Sequence, residues 1–360
     1  MKRKLENQLA GSRFLSNLYA IKKYIQLSAD ISLKKELEST LSDFVPGLTP
    51  AQSCRMKLIL LYHRYYYQVS FYEYFLFHFD KLNHKGKKEF IGDLERKKIC
   101  RQLIRTEDMN YVRNFFKNKY LTYERFHAFY HRKILFLDEN TDLSELESFA
   151  ATHDTALLKP ANGSLGKHIQ LIRMKEIENL SQWLIKIISE KKEAVLEECI
   201  LQAEEMAVFH PSSVNTIRLG SYYDGKIVIP LFSCFRMGVG DAVVDNAGSG
   251  GIGAAVDVSN GIVITAGMNK KGKTYLCHPD THQQIIGFCI PHWKELLAIV
   301  EQLAKAIPEC PYIAWDFALT PEGWCMVEAN GAGQFGNQYR ENRGYRTMIE
   351  TYFRPVDQKG

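Results

Sequence analysis

The sequence predicts an α+β chain with a helical front third. Three observations lead there. Glycine is scarce over roughly the first 110 residues, and apolar positions recur there at intervals of three and four. Near residue 118 the pattern changes to short apolar runs alternating with helical stretches. Beyond residue 205 period-two, β-rich segments dominate. A chain of 360 residues exceeds one average domain. The shifts divide it into a helical N-terminal region (1–115), a mixed lobe (116–200) and a second mixed lobe (201–360).

Taken in order, Phe14, Leu15, Leu18, Ile21, Tyr24 and Ile25 form one apolar helical stripe. Gly47, with Pro46 and Pro50, marks a break, and Thr49 or Ser53 suits the N-cap of the next helix. Residues 83–86 mark another turn. KILFLD reads as a strand, followed by a capped helix from Asp142 to Ala150 and by the strands ALLKP and HIQLIR. Residues 176–192 form an amphipathic helix, and AVLEECI is the next strand. TIRLGSYY, KIVIPLFSCFRM and GIVITAGMN then read as strands, 292–306 as a helix, and 312–319 with 324–330 as a closing strand pair. There is no internal repeat and no low-complexity tract.

The totals exclude several classes. With 46% apolar and 24% charged residues the composition is that of a globular protein, and a net charge of +5 is mild for this length. The basic residues are spread out, with a modest excess at 2–4 and around 81–105 that reads as a solvated surface or as favouring an anionic partner, and no nucleic-acid partner is expected. None of the eight cysteines forms a C-x-x-C pair, and no His/Cys set has zinc spacing. They read as small hydrophobes in a reducing cytoplasm. The N-terminus lacks the apolar run of a signal peptide. Residues 58–79 carry ten aromatics, but also His63, Arg64, Gln68, Glu73 and His78, which a lipid-spanning helix tolerates poorly. A half-buried helix pair fits them, and docking on a membrane surface is the alternative.

LLKPANGSLGKHIQLI, residues 157–172, is the first candidate for chemistry. It is not a P-loop, which requires G-x-x-x-x-G-K-[ST] before a helix. Gly163 and Gly166 are three apart, Lys167 is followed by His168, and a strand follows. A dinucleotide fingerprint fails for want of a third glycine opening a helix. Backbone N–H groups of a glycine-bearing strand–loop–strand still suit phosphate, with Lys159 and Ser164 adding a charge and a hydroxyl. A plain hairpin turn reads the residues equally well.

YIAWDFALTPEGWCMVEANGAG, residues 312–333, is the second. A three-residue Pro321–Gly323 loop pairs Thr320 with Trp324 and sets Asp316 opposite Glu328, with Asn330 on the same face. Facing carboxylates repel. A hard divalent cation explains the arrangement, since Mg²⁺ takes a few such oxygens together with nucleotide phosphates. The other reading is an acidic solvent face backed by buried Trp315, Phe317 and Val327.

VLEECILQAE, residues 195–204, runs from an apolar strand into a polar segment that can present its backbone to an adenine edge, or can simply connect two lobes. Arg218 and Arg236 each sit mid-strand, which suits phosphate clamping or a surface ion pair. GDAVVDNAGSGGIG, residues 240–253, is too glycine-rich for a strand and reads as a loop closing over something anionic.

In this order, these pieces resemble the ATP-grasp superfamily, two α+β lobes clamping ATP, here preceded by a helical N-terminal domain. The likeness spans about residues 115–340 and rests on KPANGSLGKHI, VLEECI and the D…E-x-N set of Asp316, Glu328 and Asn330. HPSSVNTIRL and FRMG…VDNAGSGG look most like the sugar-transfer-associated ATP-grasp group, found with polysaccharide biosynthesis. The resemblance implies that Lys119 and Lys159 are the nucleotide lysines. Gly163, Ser164 and Gly166 become the loop over the phosphates. Glu197, Glu198 and Ile200 lie in the adenine hinge, and Glu204 is the ribose-binding acid. Asp316, Glu328 and Asn330 become Mg²⁺ ligands, for two ions, with Mn²⁺ as the alternative metal. Arg236 and Asn246 hold the transferring phosphoryl, and Arg218 joins them. NGAGQFGNQ departs from the family, which often has a proline soon after that asparagine. His168 and His210 read as structural.

The activity so implied is ATP-dependent carboxylate–amine ligation through an acyl phosphate, in polysaccharide or sugar-conjugate biosynthesis. The partners would be a small or sugar-linked carboxylate and an amine or amino acid, with a peripheral contact to a membrane-bound polysaccharide assembly. A sugar-hydroxyl phosphotransferase using the same cradle, and a non-catalytic nucleotide-binding assembly protein, are the other readings.

Overall fold

The computed structural model describes residue 21 and residues 30–106, 109–162, 169–240 and 250–353. The chain divides into two compact units. The first comprises residues 1–103, 271–273 and 334–360, and the second residues 104–270 and 274–333.

In the first unit, α1 (Ile31–Phe44), α2 (Pro50–Tyr66), α3 (Phe71–Leu76), α4 (His84–Glu89) and α5 (Asp93–Leu103) follow in short succession. The first two begin at a side-chain cap. Asp30 accepts from the Leu33 N–H at 2.9 Å, and Thr49 and Gln52 form a reciprocal capping box. Such caps stabilise a helix by about 1 kcal/mol each. Glu73 serves two helices, accepting from the backbone N–H groups of Ser70 at 2.7 Å and Asp93 at 3.0 Å. The aromatics of 58–79 fill this unit's interior. Phe71, Tyr74, Phe77 and Phe79 pack with Leu37, Leu60, Leu61 and Phe90. Among the described residues no helix is long and apolar enough to cross a membrane. The C-terminal segment belongs here too. Gln338 exchanges hydrogen bonds with both backbone groups of Ile91 at 2.9 Å, and the helix Arg346–Tyr352 opens with Arg346 forked onto Glu95.

The second unit opens with α6 (Met109–Lys117) and α7 (Lys119–Phe126), then β1 (Ile134–Leu137), α8 (Leu143–Thr152), β2 (Thr155–Pro160), β3 (Gln170–Arg173), α9 (Leu180–Lys191) and β4 (Ala194–Glu198). Its first sheet is antiparallel throughout, in the order β1-β4-β2-β3. Leu135, Leu137, Leu158 and Leu196 meet Leu146, Phe149 and Ile187 of the two helices in one apolar cluster. β2 and β3 are direct antiparallel neighbours, so the glycine-bearing segment between them joins strand to strand.

A short helix, α10 (Glu204–Ala207), leads to β5 (Thr216–Tyr223), β6 (Val228–Met237), β7 (Ile252–Val256), β8 (Gly267–Met268), β9 (Thr274–Tyr275), α11 (Trp293–Lys305), β10 (Tyr312–Thr320) and β11 (Gly323–Asn330). These strands make an antiparallel sheet in the order β11-β10-β5-β6-β7-β8-β9. GIVITAGMN is not the full strand its alternation suggests. Val263 makes only an isolated bridge to Val256, and pairing resumes at Gly267. One sheet face carries Ile217, Leu219, Phe235, Trp315, Phe317 and Leu319 into the main core, with Leu296, Val300 and Leu303 of α11.

The closing hairpin differs from the sequence expectation in one instructive way. Thr320 pairs with Gly323 rather than Trp324, so the loop is two residues, Pro321 and Glu322. Gly323 takes φ +120°, a region other residues rarely adopt. Leu319 therefore faces Trp324 and Phe317 faces Met326, which buries Trp324 and Met326 in the core. A bulge at Val327 then restores the register, and Asp316 meets Glu328. Val327 is thus the unpaired bulge residue and not a member of the buried face.

Candidate functional site

The Val327 bulge decides the chemistry of this sheet. Side chains alternate along a strand, so an unbroken β11 would send residues 328 and 330 into the core with 324 and 326. The extra residue reverses the parity. Ala329 takes the core side, and Glu328 and Asn330 join Asp316 on the opposite face. Small residues Ala314, Ala318 and Gly220 share that face, and the Phe232 ring packs directly against Gly220.

Asp316 lies between Glu328 on one neighbouring strand and Arg218 on the other. It is 1% exposed. Arg218 grips it in a fork, Nε donating to Oδ1 at 2.7 Å and Nη2 to Oδ2 at 2.6 Å. Arg236 adds Nη1 at 3.4 Å from Oδ2, and its Nε donates to Thr216 Oγ1 at 3.0 Å. Burial alone would raise the Asp316 pKa, but the two guanidiniums outweigh it and hold the carboxyl below its ordinary range. Glu328 goes the other way. Burial and the Asp316 charge push it up, and Arg218, Lys119 and Arg236 offset this only in part.

The lysines arrive from the other sheet and its leading helix. Asn118 caps α7, accepting from the N–H groups of Tyr120 and Leu121, which fixes Lys119 in the first turn. Lys119 Nζ donates to the Pro160 carbonyl at 3.1 Å, and burial, with Lys159 nearby, lowers its pKa against the pull of Glu328. Lys159 Nζ donates to Glu197 Oε2 at 2.7 Å. Glu197, 4% exposed, is kept ionised by Lys159 and Arg132 despite its burial. Its side chain thus turns to the lysine rather than outward. Glu198 is engaged by Lys133, whose N–H donates to its carboxylate at 3.0 Å. Beyond Glu198, Ile200 is half-buried, and Glu204 stands exposed at the start of α10. Gly163, Ser164, Gly166 and Asn246 lie outside the described residues.

Gln202, which sequence reasoning did not single out, and His210, which it read as structural, complete the arrangement. Gln202, at the hinge, donates to the carbonyls of His210 and Ser213 and accepts from both nitrogens of Asn215. His210 Nδ1 meets Ser213 Oγ at 2.7 Å, and its Nε2 donates to the Gly240 carbonyl at 2.8 Å. HPSSVNT is therefore a brace between hinge, β5 and, through Thr216, Arg236. Arg132 was also missed, because in HRK it reads as a basic surface turn.

The donor set fits a divalent cation. Two carboxylates and an amide offer hard oxygens on one sheet face, and Glu328 has no hydrogen-bond partner among the described residues. Among the described residues Asn330 Nδ2 is buried without an acceptor, an orphan that a phosphate oxygen or a turned amide would satisfy. No set of three His, Cys, Asp or Glu side chains is grouped for a metal among the described residues. The third protein ligand would thus be the Asn330 amide oxygen.

A family model described as "Sugar-transfer associated ATP-grasp" matches residues 94–350. No curated protein matches the sequence. Among solved structures, the ADP complex of purK, an N5-carboxyaminoimidazole ribonucleotide synthetase, is similar at 10% identity and TM-score 0.39, over 64% of this chain and 48% of that one. A D-alanine–D-alanine ligase from Helicobacter pylori is similar at 13% identity and TM-score 0.40, over 68% and 60%. The Bacillus anthracis D-alanine–D-alanine ligase complexed with ATP is similar at 13% identity and TM-score 0.38, over 66% of each. The chain thus spans about half the length of the first of these and three-fifths of the second.

Proposed function

Because the chain belongs to the sugar-transfer-associated ATP-grasp family, we propose that it is an ATP-dependent carboxylate–amine ligase. The observation that carries this reading is the row of Glu328, Asp316 and Arg218 across three adjacent strands, with Lys119 close enough to Glu328 to shift its pKa. Opposed carboxylates beside lysines and arginines are ill-suited to a purely structural sheet face and well suited to a metal–triphosphate.

In the proposed reaction a substrate carboxylate oxygen attacks the γ-phosphorus of ATP. The bond from that phosphorus to the ADP oxygen breaks, giving an acyl phosphate and ADP. An amine nitrogen then attacks the acyl carbon, phosphate leaves, and the nitrogen gives up its proton. Lys119 and Lys159 would neutralise the nucleotide phosphates, and Arg218 and Arg236 the transferring group. Asp316, Glu328 and Asn330 would hold Mg²⁺, which when bound draws charge from the phosphoryl oxygens. Ile200 and the backbone after Glu198 would take the adenine edge, and Glu204 the ribose. Gly163, Ser164 and Gly166, with Asn246, are proposed to cover the phosphates and exclude water. In this reading the ATP cleft lies between a 116–200 lobe and a 201–360 lobe. The mild net positive charge of the chain suits an anionic sugar such as a uronic acid, joined to an amine or amino acid, in a reducing, ATP-supplied compartment.

The test is ADP and phosphate release from Mg·ATP across panels of uronic acids and amino acids. Release of both, dependent on a carboxylate and an amine, is expected. Asp316→Asn should lower the rate by roughly 100-fold or more, and full activity in that variant would remove the metal assignment. ADP formed together with a phosphorylated sugar would identify a kinase instead.

A further inference from the structure

Arg132 lies just before β1 and has no part in the reading above. It is 9% exposed. Its Nη2 donates to Glu197 Oε2 at 3.1 Å, the same oxygen that receives Lys159 Nζ at 2.7 Å. Its Nη1 donates to the Met326 carbonyl at 2.6 Å and to the Tyr130 carbonyl at 3.3 Å. The guanidinium also lies 4.8 Å from the Tyr130 ring centroid. Met326 is the last core-facing residue before the Val327 bulge, and Glu328 follows the bulge. One buried guanidinium thus touches the anchor of a nucleotide lysine and the backbone that turns a metal carboxylate outward. Among the described residues its Nε is buried with no acceptor.

We infer that Arg132 is a positioning residue that ties Lys159, through Glu197, to the bulge presenting Glu328, so that the phosphate and metal halves of the site are set together. This rests on the ligase reading of the site. A planar fork is required for the task. Lysine offers a point charge, which can satisfy Glu197 or the Met326 carbonyl but does not reproduce both bonds in fixed geometry. Removing Arg132 leaves Glu197 held by Lys159 alone and leaves the Met326 carbonyl without this donor.

Two measurements separate the halves. ADP affinity in EDTA reads the lysine side. Mn²⁺ affinity at saturating ADP, followed by electron paramagnetic resonance, reads the Glu328 side. Arg132→Met should weaken both by about tenfold, the scale set by loss of supporting contacts around metal ligands. Glu197→Gln should weaken ADP in EDTA but change Mn²⁺ affinity less than twofold. Arg132→Lys should recover ADP affinity and not Mn²⁺ affinity. A general loss of stability would lower the two affinities together in every variant and would not produce this split. If Arg132→Met fails to fold, Arg132→Met with Glu197→Gln removes both buried charges and should still lose Mn²⁺ affinity tenfold. Wild-type Mn²⁺ affinity in either folded Met variant, or an equal loss in Glu197→Gln, would overturn the inference. Failure of the wild-type protein to bind Mn·ADP would instead overturn the ligase reading, and this inference with it.

Discussion

Asp316 and Glu328 are the same chemistry on facing strands, yet their environments separate them. Two arginines keep Asp316 ionised, while burial and the Asp316 charge favour the protonated form of Glu328. A carboxyl raised on folding contributes stability at pH values below its unfolded pKa, and that contribution is lost as pH rises through the folded value. Without divalent ions, the protein should therefore lose this increment on going from acid towards neutral pH. Glu328→Gln should melt higher than wild type at pH 7, by roughly 0.5–1 kcal/mol, the scale of relieving a like-charge contact across strands. Its Mg·ATP-dependent activity should fall at the same time, and calorimetry paired with an ADP assay reads both. The pairing of these two carboxylates was legible in the sequence because residue spacing fixed it. The arginine fork was not, since Arg218 and Asp316 are separated by 98 positions and only the β5–β10 register brings them together.

At the scale of elements, strands and helices with clear period or caps were readable. The Asp142 cap, the helix beginning at Trp293 and the two closing strands fall close to where pattern places them. The turn of the last hairpin was not, because a three-residue loop without a bulge and a two-residue loop with one give the same spacing from Asp316 to Glu328. Trp324 decides between them, since its large apolar side chain reaches the core only in the second. HPSSVNT was conspicuous but mute, as its bonds run to Gln202 and Gly240 on other segments. Asn215 donates through Nδ2 to Gln202 Oε1 and to the carbonyls of Met206 and His210. Asn215→Ala leaves those buried acceptors short and should cost about 2–3 kcal/mol in a urea melt. An unchanged midpoint would show that the brace carries no stability.

Across the whole chain, the proposed site residues from Lys119 to Asn330 all belong to the second unit, and the family match begins at residue 94. The first unit is closed by the C-terminal segment of the chain. Gln338 bonds Ile91, Arg346 forks Glu95, and Gly344 lies too close to the Glu89 backbone for any side chain. A chain cut after Gly333 should expose residues 30–103 to trypsin well before residues 119–330, read by mass spectrometry of the fragments. Equal resistance of both regions would show that the helices stand without that segment. The arginine fork on Asp316, finally, bears on the order in which the proposed ligands would arrive. A bare divalent ion approaching this sheet meets one carboxylate already neutralised by Arg218 and Arg236 and a second disposed to keep its proton. The attraction such an ion feels is small. In the proposed reading, a triphosphate arriving with its metal would give the guanidiniums another anion to hold and free Asp316 for the cation, so metal and nucleotide would enter as one ligand.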